Sequence, residues 1–315
     1  MKILITGSSG LTGVHLAMAW AEHHAVVGID RHPWWGDQPL QTFVQDLTTP
    51  RALQRIRQVE PDLLVHCAAL VNVDACEDDP SLAAALNAQL TKALVQIVPG
   101  NCLVVYISTD GVFTGDTRNA TETELPCPRT VYARSKLQGE WEVALAARNH
   151  LIVRTNFYGW SSGRKQTSAE WLYQSLADGA PITLFDDFYF SPIYVVDLVQ
   201  RLVALIEGGH RGLLHLAGAE RVSKYEFGAL MAQAAEFSMA SVRRGSIEAA
   251  HLAAPRPKDM SLDSTKFQRL TGVQLPGCLD GIRRFLRDRT RALSARLAEP
   301  QEPALTGENP LRATR

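Results

Sequence analysis

Apolar residues in this chain follow two rhythms that take turns. Short runs with strand character cover Lys2 to Thr6, Ala25 to Asp30, Thr42 to Val44, Leu63 to Ala68 and Leu103 to Ser108. Between them, the spacing predicts helices from about Gly13 to His23, near Pro50 to Val59 and near Pro80 to Val98. Strand and helix in steady succession build parallel βαβ units wound on both faces of one sheet. The expected fold is therefore α/β, a Rossmann-like doubly wound parallel sheet. Such sheets receive ligands beyond the carboxyl ends of their strands. That rule singles out Gly7 to Gly13, Asp30-Arg31, Cys67-Ala68-Ala69 and Ser108-Thr109-Asp110.

The rhythm continues with a helix from about Val131 to Arg148 and a strand from Leu151 to Thr155, then loosens over the polar stretch Ser161 to Ser168. Ser191 to Glu207 and Gly212 to Ala217 read as a helix and a strand that return to the sheet, whereas Lys224 to Phe237 and Gly281 to Leu293 are helical. The expected organisation is a dinucleotide-binding domain of residues 1–157 and about 191–217. A smaller, discontinuous C-terminal substrate domain of residues 158–190 and 218–297 would cap the sheet edge. Residues 298–315 are polar, contain prolines and lack periodicity, which predicts a disordered tail.

Composition narrows the partners. In a chain of 315 residues the formal net charge is only −1, so neither nucleic acid nor an anionic membrane is an expected partner. No segment approaches the length of a membrane span, and MKILITG passes straight into a strand and glycines without the apolar stretch of a secretory signal. Cys67, Cys76, Cys102, Cys127 and Cys278 form no CxxC pair. They suit reduced thiols, and the cytoplasm is the expected location. The nine histidines show no ligand spacing, so no catalytic metal is expected.

Candidate chemistry begins at "TGSSGLTG", residues 6 to 13, where Gly7, Gly10 and Gly13 surround Ser9, Leu11 and Thr12. Between a strand and a helix, glycines permit close approach of backbone to a pyrophosphate, and the helix amino terminus offers amide donors. The alternative is a glycine-rich turn without ligand. Asp30 ends the second strand, where a carboxylate can accept hydrogen bonds from adenosine ribose and favour NADH. Arg31 beside it could instead meet the 2′-phosphate of NADPH, or form a solvated ion pair, and the choice of cofactor stays open. Further on, "VYARSKLQGE" places Tyr132 and Lys136 on one helix face. A free phenol has a pKa of about 10 and is a poor acid or base near neutrality, so a neighbouring cation that stabilises the phenolate would give this spacing a use.

With all four signals in this order, the sequence resembles the extended short-chain dehydrogenase/reductase superfamily over nearly its whole length. Within it, "PDLLVHCAALVNVDACEDDP" at 61 to 80, Asn87, "ISTDGVF" at 107 to 113, "VYARSKLQGE" and "RPKDMSLDSTKF" at 256 to 267 resemble the dTDP-4-dehydrorhamnose reductase family. The resemblance implies Thr109, Tyr132 and Lys136 as a catalytic set. It implies dinucleotide contacts at Gly7, Ser9, Gly10, Leu11, Thr12, Asp30, Arg31, Asp46, Leu47, Ala68 and Ala69, together with Tyr132 and Lys136. Val71, Asn72, Asp110, Phe113, Asn156, Phe157 and Arg256 would approach a sugar-nucleotide substrate. The implied reaction is reduction of a sugar ketone by NADPH or NADH, with Tyr132 as proton donor, Thr109 hydrogen-bonded to the ketone oxygen, and a homodimer as a fair expectation for the superfamily.

Two departures stand out. Gly111 follows Ser-Thr-Asp where family members commonly carry an aromatic residue, which leaves substrate identity open. The related sugar-nucleotide 4,6-dehydratases use a consecutive Asp-Glu pair that is absent here, so dehydration ranks low. The stretch 154 to 171, "RTNFYGWSSGRKQTSAEW", reads either as a lid or as a passive connection. Trp34-Trp35 read as a flap, an interface patch or, more simply, loop packing. "ACEDDP" suits a helix amino terminus, and Arg283-Arg284 a solvated basic face. Two further readings remain: a cofactor-binding regulatory subunit, resembling that of methionine adenosyltransferase, and an epimerase that recycles NAD.

Overall fold

The computed structural model describes residues 1–250 and 254–289. The chain opens with β1 (Lys2–Thr6), α1 (Leu11–Trp20), β2 (Ala25–Asp30), β3 (Gln41–Val44), α2 (Pro50–Val59) and β4 (Leu63–His66). Next come α3 (Val73–Asp78), α4 (Pro80–Ala84), a π-helical turn at Ala85–Gln89, α5 (Leu90–Ile97), β5 (Leu103–Thr109), α6 (Val131–Ala146) and β6 (His150–Thr155). The later part holds β7 (Phe157–Tyr158), α7 (Ser168–Ala177), β8 (Ile182–Phe185), β9 (Tyr189–Phe190), β10 (Ile193–Tyr194), α8 (Val195–Glu207) and β11 (Gly212–His215). It ends with β12 (Val222–Ser223), α9 (Lys224–Ala235), β13 (Val242–Gly245), α10 (Thr265–Thr271) and α11 (Cys278–Arg287).

Seven strands form one parallel sheet in the order β11-β6-β5-β4-β1-β2-β3. This is the doubly wound α/β architecture expected from the alternating rhythms. Strand residues of opposite parity enter two separate apolar layers. Ile3, Ile5, Val65, Val105 and Val153 pack with Leu16 and Trp20 of α1 and Leu198 of α8. Leu4, Leu64, Val104 and Ile152 pack with Ile56 of α2 and Leu94 of α5. Burial on both faces explains why the central strands read as continuous apolar runs. Strand order reverses between β1 and β4, and the carboxyl ends of both open towards the same crevice.

The long helix expected from Pro80 to Val98 is interrupted. Asp79 caps α4 through the Leu82 amide, and the π turn then widens the backbone around the buried Asn87. The Asn87 side chain accepts from Leu70 N at 2.8 Å and donates to Leu70 O at 3.0 Å and to Ser135 Oγ at 2.9 Å. Its backbone carbonyl accepts from Thr91 Oγ1 and Tyr106 Oη. A buried polar side chain with this many obligations outranks regular helix spacing. The end of the helix expected from Gly281 to Leu293 and the expected tail at 298–315 lie outside the described residues.

Three elements are joined beneath the sheet's carboxyl edge by one buried ion pair. Arg154 of β6 donates to Glu140 of α6 through Nη2 at 2.7 Å and Nε at 2.9 Å, and Ser108 Oγ of β5 donates to the same carboxylate at 2.5 Å. Their side chains are only 3% and 5% exposed. Removing one partner would strand a buried charge, at a cost of roughly 3–5 kcal/mol. Arg154→Met and Glu140→Gln should therefore each lower the urea midpoint markedly, since each leaves the other charge buried without its partner; an unchanged midpoint in either variant would contradict this account.

Candidate active site

The glycine loop joins β1 to α1 under tight steric limits. Gly7 has φ +69°, and a Cβ there would stand 2.7 Å from the Ala68 amide nitrogen. Gly7 N donates to Ile29 O at 2.9 Å, locking the turn onto β2. Helix α1 begins at Gly10 with no side-chain cap and no acidic residue in its first turn. Its first amides are thus left for an external acceptor, and the dipole favours an anion there. Ser8 Oγ and Thr12 Oγ1 are buried without a hydrogen-bond partner among the described residues. Uncapped amides, a turn that only glycine fits and unspent hydroxyls are what a dinucleotide pyrophosphate needs.

Asp30 is spent on organising this loop. Its Oδ2 accepts from Ser9 N at 3.0 Å and its Oδ1 from His32 N at 2.9 Å. Gln45 N bonds Asp30 O at 2.7 Å, which brings Asp46 and Leu47 beside the end of β2. The Asp46 carboxyl lies below its ordinary range because Thr48 donates to it from backbone and hydroxyl, with a smaller contribution from the Arg31 charge. Leu47 is buried in the core and Arg31 is exposed. Trp35 donates from Nε1 to Ser9 O at 2.7 Å, so this indole braces the glycine loop. Trp34 packs on the core and donates to Gln38 O.

The stretch 154 to 171 is tied down at several points. Thr167 and Glu170 form a capping box at α7, Glu170 also accepts from Ser161 N at 2.6 Å, and Arg164 Nη2 donates to Pro33 O at 3.4 Å. The Arg164 contact bridges this segment to the loop after β2.

Behind the crevice, His66 is neutral: burial first, and the Lys136 charge second, push it down to about 3. Thr91 spends its proton on Asn87 O, so His66 donates from Nε2 to Thr91 and accepts from Thr6 Oγ1 at 2.6 Å.

Thr109, Tyr132 and Lys136 converge where β5 ends. Thr130 caps α6 through the Ala133 amide at 3.1 Å, which fixes the helix start just before Tyr132. Thr109 Oγ1 accepts from Gly111 N at 3.1 Å and donates to Asp110 Oδ1 at 3.0 Å, with the Tyr132 phenol beside it. Burial raises the phenol above its ordinary value, helped by Asp110 and Cys76 and opposed by Thr109. The spacing argument anticipated a phenolate stabilised by Lys136. Instead the Lys136 ammonium lies 3.9 Å from the centroid of the Tyr106 ring, and the phenol keeps its proton, the form that a proton donor needs. Burial pushes Lys136 down to about 7, against the opposing pull of Glu140 and Cys67.

The residues expected on the sugar side are less uniform. Asp110 is 3% exposed and accepts from Asn156 Nδ2 at 2.5 Å. Phe113 is buried against His215 and under Arg154, as a floor and not an open wall. Phe157 is half-buried against the core, and Val71 is 59% exposed. Asn72 caps α3, and Arg256 pairs with Asp74 at 2.9 Å. Arg256 also lines a cavity of about 540 Å³ with Thr114, Gly115, Asp116, Arg129 and Lys258. Lys224 was not foreseen. It caps no sequence motif, yet its charge acts on Asp110 while its Nζ lies 3.4 Å from the Phe190 ring centroid. Glu140, also missed, stands one helical turn after Lys136, a spacing that could have revealed it.

A parallel doubly wound sheet with a glycine cradle at its first crossover and Tyr-x-x-x-Lys at the end of β5 defines an extended short-chain dehydrogenase/reductase. A family model described as RmlD substrate binding domain matches residues 1–291, and the chain belongs to that family. It is 32% identical over 235 residues to a dTDP-4-dehydrorhamnose reductase of Mycobacterium tuberculosis, covering 71% of this chain and 72% of the relative. It is 29% identical to a probable low-salt glycan biosynthesis reductase of Haloferax volcanii, covering 90% and 96%. Its fold matches a dTDP-4-dehydrorhamnose reductase of Bacillus anthracis in complex with NADP, with a TM-score of 0.80 at 27% identity over 91% of this chain and 99% of that one.

Lys136, expected to contact the dinucleotide, supplies a pH test of that role. Its ammonium form dominates below about 7 in the free protein, and only that form donates three hydrogen bonds as a cation. NADH should therefore bind about tenfold more weakly at pH 8.5 than at pH 6, measured by fluorescence titration, and Lys136→Met should flatten the dependence.

Proposed function

We propose that the protein reduces the keto group of a nucleotide-linked deoxysugar, or a similar small ketone, at the expense of NADH or NADPH. The observation that carries this reading is the convergence of Thr109, protonated Tyr132 and Lys136 at the carboxyl end of β5, beside a cradle suited to a dinucleotide. The relatives bearing the name dTDP-4-dehydrorhamnose reductase support it.

The reduced nicotinamide, when bound, supplies the hydride that attacks the carbonyl carbon. Gly7 and Gly10 leave room for the pyrophosphate, which the first amides of α1 would hold, with Ser9, Leu11 and Thr12 alongside. Asp30, Arg31, Asp46 and Leu47 border the adenosine, and Ala68 and Ala69 follow β4 towards the reacting centre. Lys136 orients ribose hydroxyls with the donors it does not use elsewhere. Tyr132 passes its proton to the carbonyl oxygen as negative charge develops there, and Thr109 donates a hydrogen bond to the same oxygen. Val71, Asn72, Asp110, Phe113, Asn156, Phe157 and Arg256 surround the sugar nucleotide. Its diphosphate lies towards the cavity of Arg129, Arg256 and Lys258, where each cation exchanges a carboxylate partner for phosphate.

In this reading, residues 1–157 and about 191–217 bind the dinucleotide, while 158–190 and 218–297 complete the substrate side. Among the described residues no helix is long and apolar enough to cross a membrane. A cytoplasmic homodimer that engages neither nucleic acid nor membrane fits the near-neutral charge and the free thiols.

Loss of nicotinamide absorbance should appear with NADH or NADPH on a panel of dTDP-, UDP- and GDP-linked 4-keto sugars. Tyr132→Phe should lower kcat by roughly 10²–10⁴-fold while leaving the urea midpoint near that of the parent. Tight cofactor binding without oxidation on any substrate would turn the assignment towards an NAD-recycling epimerase or a regulatory subunit.

A further inference from the structure

Thr109 has a donor problem. Its hydroxyl carries one proton and two lone pairs. Gly111 N occupies one lone pair at 3.1 Å, and the proton points to Asp110 Oδ1 at 3.0 Å. While Asp110 is a carboxylate it can only accept, so the single Thr109 proton stays on Asp110. The remaining lone pair of Thr109 can only accept, and a ketone oxygen has no proton to give it. The Thr109 hydroxyl is then withheld from the substrate.

A proton on Asp110 Oδ1 reverses the Thr109–Asp110 hydrogen bond. Asp110 then donates to Thr109, which still accepts from Gly111 N, and both lone pairs of Thr109 are filled. Its own proton is released for an external acceptor, which a ketone oxygen beside Tyr132 would supply. Asn156 Nδ2, bonded to Asp110 Oδ2 at 2.5 Å, leaves Oδ1 as the oxygen that carries the proton.

We propose that Asp110 is a positioning residue whose protonation frees the Thr109 hydroxyl to donate to the ketone oxygen, so that the acid form of Asp110 is the reduction-competent one. This inference rests on the catalytic reading of Thr109 and Tyr132 given above. The surroundings permit the switch. Asp110 is raised from 3.8 to about 6 by burial, while hydrogen bonds from Asn156, Thr109 and the Gly111 backbone, and the Lys224 charge, pull the other way. The titratable groups that face it are Tyr132 of α6 and Lys224 of α9. Burial pushes Lys224 down to about 8, so it is a cation across the range in which Asp110 titrates. A bound sugar and cofactor exclude water and raise Asp110 further. The sign follows: the acid form prevails at low pH and is lost as pH rises through the Asp110 pKa.

Asp110→Asn supplies the test, because an asparagine can accept from Asn156 and donate permanently to Thr109. With NADH and the ketosugar saturating, kcat would be followed from pH 5 to 8.5 for the parent, Asp110→Asn and Thr109→Val, with urea midpoints and NADH affinity recorded for each. The expected result is a ratio of Asp110→Asn to parent kcat that climbs about tenfold or more as the parent passes into its carboxylate form, one pH unit of ionisation being a factor of ten. Thr109→Val should lose about 10²–10³-fold at every pH, as for a missing oxyanion donor. If Asp110→Asn is as impaired as Thr109→Val at low pH, or repeats the parent's pH profile, the inference is overturned. If Thr109→Val and Tyr132→Phe both retain parental turnover, the catalytic reading itself fails.

Discussion

The buried pair of Glu140 and Arg154 is the interaction on which the site depends. Two charges this deeply withdrawn from water are tolerable only when closely paired and hydrogen-bonded. Here the carboxylate also takes the Ser108 hydroxyl, so it meets β5, α6 and β6 at once. Ser108 immediately precedes Thr109, Glu140 lies one turn beyond Lys136, and Arg154 stands two residues before Asn156. Any relative shift of the three elements would have to break a buried charge contact. The pair thus holds the candidate chemical groups in register, and Glu140 also keeps negative charge beneath Lys136, opposing the loss of its proton on burial.

On the other side of the strand-order reversal, close approach of backbone replaces charge as the constraint. Gly7 can neither carry a Cβ nor adopt another turn without meeting Ala68, which is why the end of β4 and the glycine loop form one surface. Asp30 anchors that surface from β2 by accepting two backbone amides. Its carboxylate therefore serves the loop before it serves any ribose. The two regions differ in the kind of precision they supply: one fixes proton donors, the other fixes a backbone cradle.

Much of this was legible in the sequence because it rests on local rules. Alternating periodicity gives the order of strands and helices, and glycine between β1 and α1 needs only its two neighbours to be interpreted. Thr130 before α6 and Ser223 before α9 are side-chain caps whose residue types favour that position. What escaped depends on contacts between distant residues. The π turn exists because Asn87 must satisfy Leu70 and Ser135, partners that no helical periodicity encodes. Lys224 follows an ordinary cap and acquires meaning only when β9 and the end of β5 are brought near it. The Tyr132–Lys136 spacing correctly identified a shared helix face, yet the ammonium settles over Tyr106, since a buried cation finds the nearest electron-rich surface. Burial of Tyr132 reversed the expected effect on its phenol.

Gly111 shows how a departure from the familiar pattern acquires a physical meaning. Its backbone does not lie in the left-handed region that requires glycine, and a Cβ would meet Thr109 Oγ1 at 3.5 Å and Ala133 Cβ at 3.6 Å, ordinary contacts. Neither conformation nor crowding therefore selects glycine here. What glycine provides is the absence of any side chain beside Thr109, and so of a second carboxyl next to Asp110. A dehydration that relies on adjacent Asp and Glu lacks one of its groups, whereas a reduction needs only proton donors on one oxygen and room for the sugar beyond it. The missing side chain thus narrows the chemistry beside the very groups that would donate protons.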